Sequence, residues 1–207
     1  PVDYGYHPAY EESGLECRGD KKIVQDPYGI QKIIRTDGTG MPQFLRFPLE
    51  SAADWTELRQ RLASDLPGRI PSEEQGRQAA EQDEVPVTIG QSHLCGFFSL
   101  IREMAGDRCY YLFYDDPGLV KDIVSFQTKR ICRFIREATA RTRVDRLFIW
   151  EDMCYKTGPL ISPALFEEFF LLGTKVPQRP LSSWPRLCMV MPVSCSVAGI
   201  SAPTAPL

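Results

Sequence analysis

Apolar positions in this chain follow more than one rhythm. Between residues 14 and 35, Lys22, Ile23 and Val24 lead into Asp26-Pro27-Tyr28-Gly29, a turn tetrad with Pro at its second position, and Ile30, Ile33 and Ile34 return the chain. This pattern predicts a β-hairpin, with an irregular surface ribbon as the alternative; Asp37-Gly38-Thr39-Gly40 marks a second turn. Ser51 stands as a helix N-cap, with Asp54 three residues on as in a capping box. Trp55, Leu58 and Leu62 then fall on one helical face. Residues 72–84 are polar and acidic and read as a solvated helix or linker.

Apart from Pro86 at its edge, the run 85–89 is β-branched and uncharged, which suits a buried parallel strand. Residues 96–104 read as a helix ended by Gly106. Asp115-Asp116-Pro117 starts another helix, with an Asp cap and then Pro at the first helical position. Its apolar stripe runs through Val120, Ile123, Val124, Ile131, Phe134, Ile135 and Ala138. Lys121, Lys129, Arg130, Arg133, Arg136 and Glu137 cover the remainder, read as a solvated face rather than a binding surface. Residues 146–150 form a second strand, ending in Glu151-Asp152. After a loop, Ser162-Pro163 opens a further helix. Strands separated by long helices are the signature of a parallel α/β sheet or barrel.

Composition narrows the class. A hydrophobic fraction of 43% and a charged fraction of 25% are those of a globular protein. The net charge of −3 argues against a general nucleic-acid or anionic-membrane surface. No apolar run approaches the roughly 20 residues that span a bilayer. The 7 cysteines are scattered, without a C-x-x-C pair, and fit a reduced, cytoplasmic setting. All 27 acidic residues stand at or before Glu168, and prolines recur at 177, 180, 185, 192, 203 and 206. Residues 172–207 are therefore expected to be an atypical Pro-rich tail, as an out-of-frame translation would look, following a domain over residues 1–171. Within the tail, residues 187–197 are apolar enough to pair with an open strand, but Pro192 interrupts them.

Three stretches carry a resemblance: FPLESAADWTELRQRL (47–62), GFFSLIREMAGDRCYYLFYDDPGLVKDIV (96–124) and LFIWEDMCYKTGPLISPALFEEFFL (147–171). Their order and spacing resemble the uroporphyrinogen decarboxylase family, and more closely its bacterial and corrinoid-methyltransferase-like paralogues. The match covers about residues 8–171. It stops at Leu172-Gly173-Thr174-Lys175, where the family continues as Pro-Gly/Tyr-Tyr-Lys. The resemblance implies an α/β fold: a partial TIM-type (β/α)8 barrel with an N-terminal β-hairpin region, incomplete at both ends. It implies a parent enzyme of tetrapyrrole chemistry, with two options. One is decarboxylation of uroporphyrinogen, which needs no cofactor. The other is corrinoid-linked methyl transfer, which uses a corrinoid and, in related enzymes, zinc. The expected partner is a tetrapyrrole or a corrinoid protein, not nucleic acid or a membrane. The chain alone is expected to be inactive; a non-catalytic remnant or binding protein is the alternative.

Glu151 and Asp152 are the catalytic candidates, because barrel sites lie at the C-terminal ends of the strands. A carboxylate there could stabilise the cation formed when a pyrrole ring is protonated, or else cap loop amides or the next helix. His93, Tyr155 and Lys156 are the substrate-binding candidates. His93 and Cys95 form an H-x-C pair of zinc-ligand type. In the related methyltransferases that pair lies on a later strand, so here a chance pair lining the barrel mouth is the simpler reading. Lys156 could meet a substrate carboxylate or phosphate, although a lone loop lysine is usually solvated. Ser162 is best explained as a helix cap.

Overall fold

The computed structural model describes residues 2–63, 68–81, 86–151, 153–155, 158–171 and 188–190. The chain is mixed α/β. Its first part is an antiparallel four-stranded meander of β1 (Ser13–Arg18), β2 (Lys21–Gln25), β3 (Gln31–Arg35) and β4 (Gln43–Arg46). The expected hairpin is β2–β3, in register from Lys21↔Arg35 to Gln25↔Gln31. Asp26 builds its turn: one carboxylate oxygen accepts from the amides of Tyr28 and Ile30, and the other pairs with Lys32 at 2.8 Å. The second turn signal joins β3 to β4.

Helix α1 (Asp54–Arg61) buries Trp55 and Leu58, and Leu62 just beyond it is also buried. The helix starts later than Ser51 suggests. Only half of the expected box forms, with Asp54 Oδ2 accepting from the Ser51 amide at 2.7 Å. Trp55 Nε1 donates to Asp122 at 2.7 Å and ties α1 to the long helix described below. The polar stretch contains α2 (Glu73–Ala80), opened by a complete capping box of Ser72 and Gln75; residues 82–84 of it lie outside the described residues.

A second sheet is parallel, in the order β5 (Thr88–Ile89), β6 (Arg146–Phe148), β9 (Cys188–Val190). The two expected parallel strands are thus neighbours, although each is shorter than its apolar run. Residue 85 lies outside the described residues, and Val87 meets Asp145 instead: its amide donates to Asp145 Oδ2 at 2.9 Å. The strand β9 falls in the Pro-rich tail, just before Pro192, and pairs with β6 over Arg146↔Cys188 to Phe148↔Val190.

Between β5 and β6 run α3 (Phe98–Ala105), α4 (Cys109–Asp115) and α5 (Pro117–Arg141). Gly106 ends α3 at φ 58°, and a Cβ there would stand 2.3 Å from the Phe47 ring. No side chain could take that backbone conformation and leave the ring seated. Asp116 caps the 25-residue α5 by accepting from the Leu119 amide at 3.0 Å. The predicted stripe of α5 is buried throughout. One expectation about its polar side is overturned: Arg130 is not on a solvated face but 1% exposed. Its guanidinium donates to the carbonyls of Tyr4 (2.5 Å) and Leu94 (3.2 Å), and these buried backbone acceptors hold it inside. Desolvation, with Arg69 nearby, lowers its pKa to about 10. Gln127, one turn earlier, donates to the Leu94 and Gly96 carbonyls.

After β6 a small hairpin of β7 (Cys154–Tyr155) and β8 (Gly158–Pro159) occupies part of what reads as loop in the sequence. Ser162 caps α6 (Pro163–Phe166) as expected, accepting from the Leu165 amide at 3.2 Å. A π-helical turn, Glu167–Leu171, follows and inserts Phe169 and Phe170 into the core.

Candidate functional site

Parallel pairing of β5 and β6 brings the segments after both strands to one edge of the sheet. The chain leaving β5 makes a 3-10 turn, His93–Cys95, and enters α3. The chain leaving β6 passes through buried Ile149 and half-exposed Trp150 to Glu151. Gly96 permits the approach of the two: a Cβ there would lie 1.9 Å from the Trp150 carbonyl oxygen and 3.1 Å from the Glu151 carboxyl carbon.

Glu151 is 7% exposed. Its carboxylate accepts from the Phe97 amide at 2.5 Å, the Ser99 amide at 3.1 Å and the Ser99 hydroxyl at 3.3 Å. These donors belong to the first turn of α3, whose early N–H groups have no intrahelical acceptor. Burial pushes the carboxyl up to about 7, opposed by the hydrogen bonds from Phe97 and Ser99. Of the two roles open to it, capping the next helix describes its contacts, and its oxygens are held by α3. Asp152 and Lys156 lie outside the described residues. Tyr155 pairs through its backbone with Gly158, and its side chain lies outside the description.

His93 faces a different neighbourhood. Its Nε2 is 3.6 Å from Glu103 Oε1, and its ring meets Tyr28 edge-on with centroids 4.9 Å apart. Cys95 turns away into the core beside Tyr4 and Arg130, fully buried, with its thiol pushed up to about 12 by desolvation. A protonated, enclosed thiol is a poor zinc ligand. No group of three or more potential metal-ligating side chains occurs among the described residues. His93 and Cys95 thus face different neighbours, Glu103 and Tyr28 for one, Tyr4 and Arg130 for the other. His7, the other histidine, pairs with Asp3.

Two clefts open near the sheet edge. One, of about 330 Å³, lies between the N-terminal residues 2–5 and the loop after β5. The other, of about 270 Å³, holds His93, Arg102 and Glu103 between Phe44, Phe47 and Trp150. Both are near the lower end of ligand-pocket volumes and suit a one- or two-ring molecule. Neither encloses a tetrapyrrole or corrinoid macrocycle, so no catalytic step through such a group follows from the described residues. Glu151 does not line the cleft that holds His93. Sequence reasoning missed Arg102 and Glu103. The available signal was a charged pair interrupting the apolar run of α3.

No protein-family model, curated protein or solved structure matches the chain. No helix among the described residues is long and apolar enough to cross a membrane.

Proposed function

We propose that the chain is part of a (β/α)8 barrel of the uroporphyrinogen decarboxylase kind, from a cytoplasmic parent enzyme that acts on a tetrapyrrole. The reaction is decarboxylation of a uroporphyrinogen or corrinoid-linked methyl transfer. The observation that carries the reading is the β5–α3–α4–α5–β6 unit, with two adjacent parallel strands whose following loops meet at one edge. That is where barrels of this class hold their chemistry. Glu151 serves as a positioning residue that holds the start of α3 against the end of β6. Asp152, the second of the two catalytic candidates, is the carboxylate assigned to the substrate. A macrocycle is larger than either cleft described, which supports the reading that the chain by itself is inactive. The engagement of Glu151 by α3 favours one second reading, a binding protein without catalysis.

Absorbance titrations of the parent barrel with cobalamin and with a porphyrinogen test the proposal. Saturable binding of one of them, weakened at least tenfold by Asp152→Asn, is expected. Binding of neither overturns the enzyme reading, and turnover by the isolated chain overturns the partial-barrel reading.

A further inference from the structure

The smaller cleft contains a histidine–carboxylate pair, His93 and Glu103, of which the reading above uses at most His93. His93 directs Nε2 inward. That atom is buried, has no hydrogen-bond partner among the described residues, and faces Glu103 Oε1 at 3.6 Å. The edge-on contact with Tyr28 holds the plane of the ring. The side chain as a whole is 37% exposed and lines the cleft; with Nε2 enclosed, Nδ1 is the ring nitrogen left to meet a ligand. A carboxylate behind one imidazole nitrogen keeps the proton there and leaves a lone pair on the other. The 3.6 Å gap is long for a hydrogen bond, and such contacts commonly tighten when a ligand closes the site.

The surroundings select a ligand class. Phe44, Phe47 and Trp150 give aromatic walls, and about 270 Å³ accommodates one ring with a short substituent. From the antiparallel sheet, Asp26 and Lys32 face Glu103 but are already joined to each other at 2.8 Å. From α3, Arg102 adds a positive charge beside it. Burial raises the Glu103 carboxyl above its usual range.

We infer that this cleft binds a single-ring aromatic molecule bearing a hydroxyl or amine, with His93 Nδ1 accepting the hydrogen bond and Glu103 holding the imidazole in the accepting tautomer. The inference stands apart from the barrel reading, because it uses only groups already in place around the cleft. Glu103 is a positioning residue, and its effect passes through His93.

The chain has 2 histidines, so an imidazole ¹⁵N spectrum of the full chain contains two ring systems, separable with His7→Gln. Phenol is the probe, and toluene, with the same ring and no donor, is the control. His93 is expected as the Nε2–H tautomer. Phenol moves its Nδ1 resonance saturably and toluene does not. Glu103→Gln weakens phenol at least tenfold and changes the tautomer ratio. Phe44→Ala, on a side chain 51% exposed, weakens phenol and leaves the tautomer unchanged. An Nδ1–H tautomer in the unmodified chain, equal responses to phenol and toluene, or unchanged affinity in Glu103→Gln overturns the inference. If Glu103→Gln does not fold, the wild-type tautomer and the Phe44→Ala titration decide it.

Discussion

Replacing Glu151 by Gln tests the role of the buried carboxylate through the pH dependence of stability. In the folded chain Glu151 keeps its proton up to about pH 7, against an ordinary value of 4.5. The folded state therefore binds more protons than the unfolded state between those two values. Its contribution is fully present below about pH 4.5 and is lost as pH rises through about 7. A difference of that size is worth on the order of 3 kcal/mol. The glutamine variant has no proton to lose and should lack this slope. It should also lose one acceptor, because the Phe97 and Ser99 amides address different carboxylate oxygens and a carboxamide presents only one. Leaving one such buried amide unsatisfied costs about 1–3 kcal/mol. At pH 5 the variant should therefore be less stable by that amount. By pH 8 the gap should close by about 3 kcal/mol and can reverse. Urea unfolding of both proteins at pH 5, 6, 7 and 8 measures this. The Glu103 carboxyl, also raised by burial, is common to both and cancels in the difference. Parallel stability curves for the two proteins would refute the reasoning.

Gly96→Ala forces a Cβ into the Trp150 carbonyl and should destabilise by at least about 2 kcal/mol through overpacking, visible as a lower thermal midpoint. Arg130→Ala strips donors from the Tyr4 and Leu94 carbonyls and should cost about 2–4 kcal/mol in urea unfolding; a loss under 1 kcal/mol would mean that water replaces the guanidinium. Asp116→Ala removes the cap of α5, with an expected loss of about 0.5–2 kcal/mol; Asp116→Asn should recover most of it.

Much of the local architecture was legible in the sequence, because its causes act within a few residues. The Asp26-Pro27-Tyr28-Gly29 turn, the Asp116 and Ser162 caps, the stop at Gly106 and the buried stripe of α5 all follow from spacing and side-chain chemistry. Pairing β5 with β6 also followed, since two apolar runs joined by helices leave a parallel crossover as the favoured arrangement. Where the sequence misled, distant partners decided. Ser51 lost the start of α1 to Asp54. Arg130 carries a charge that reads as surface, yet it is buried because the N-terminal segment and the loop after β5 bring it carbonyls 126 and 36 residues away.

The candidate site divides the same way. Glu151 and His93 could be named from their places after two strands, but their roles could not. Glu151 meets α3 across 54 residues of chain, and His93 meets Glu103 only because the turn before α3 doubles back along the helix. Sequence by itself determined the hairpin, the helices with their caps, and the alternation that makes the chain α/β. Tertiary structure alone decided which carboxylate serves a helix end, which faces a histidine, and which arginine is enclosed. Local propensity depends on neighbours within about one turn, whereas desolvation and pairing depend on whatever the fold brings close.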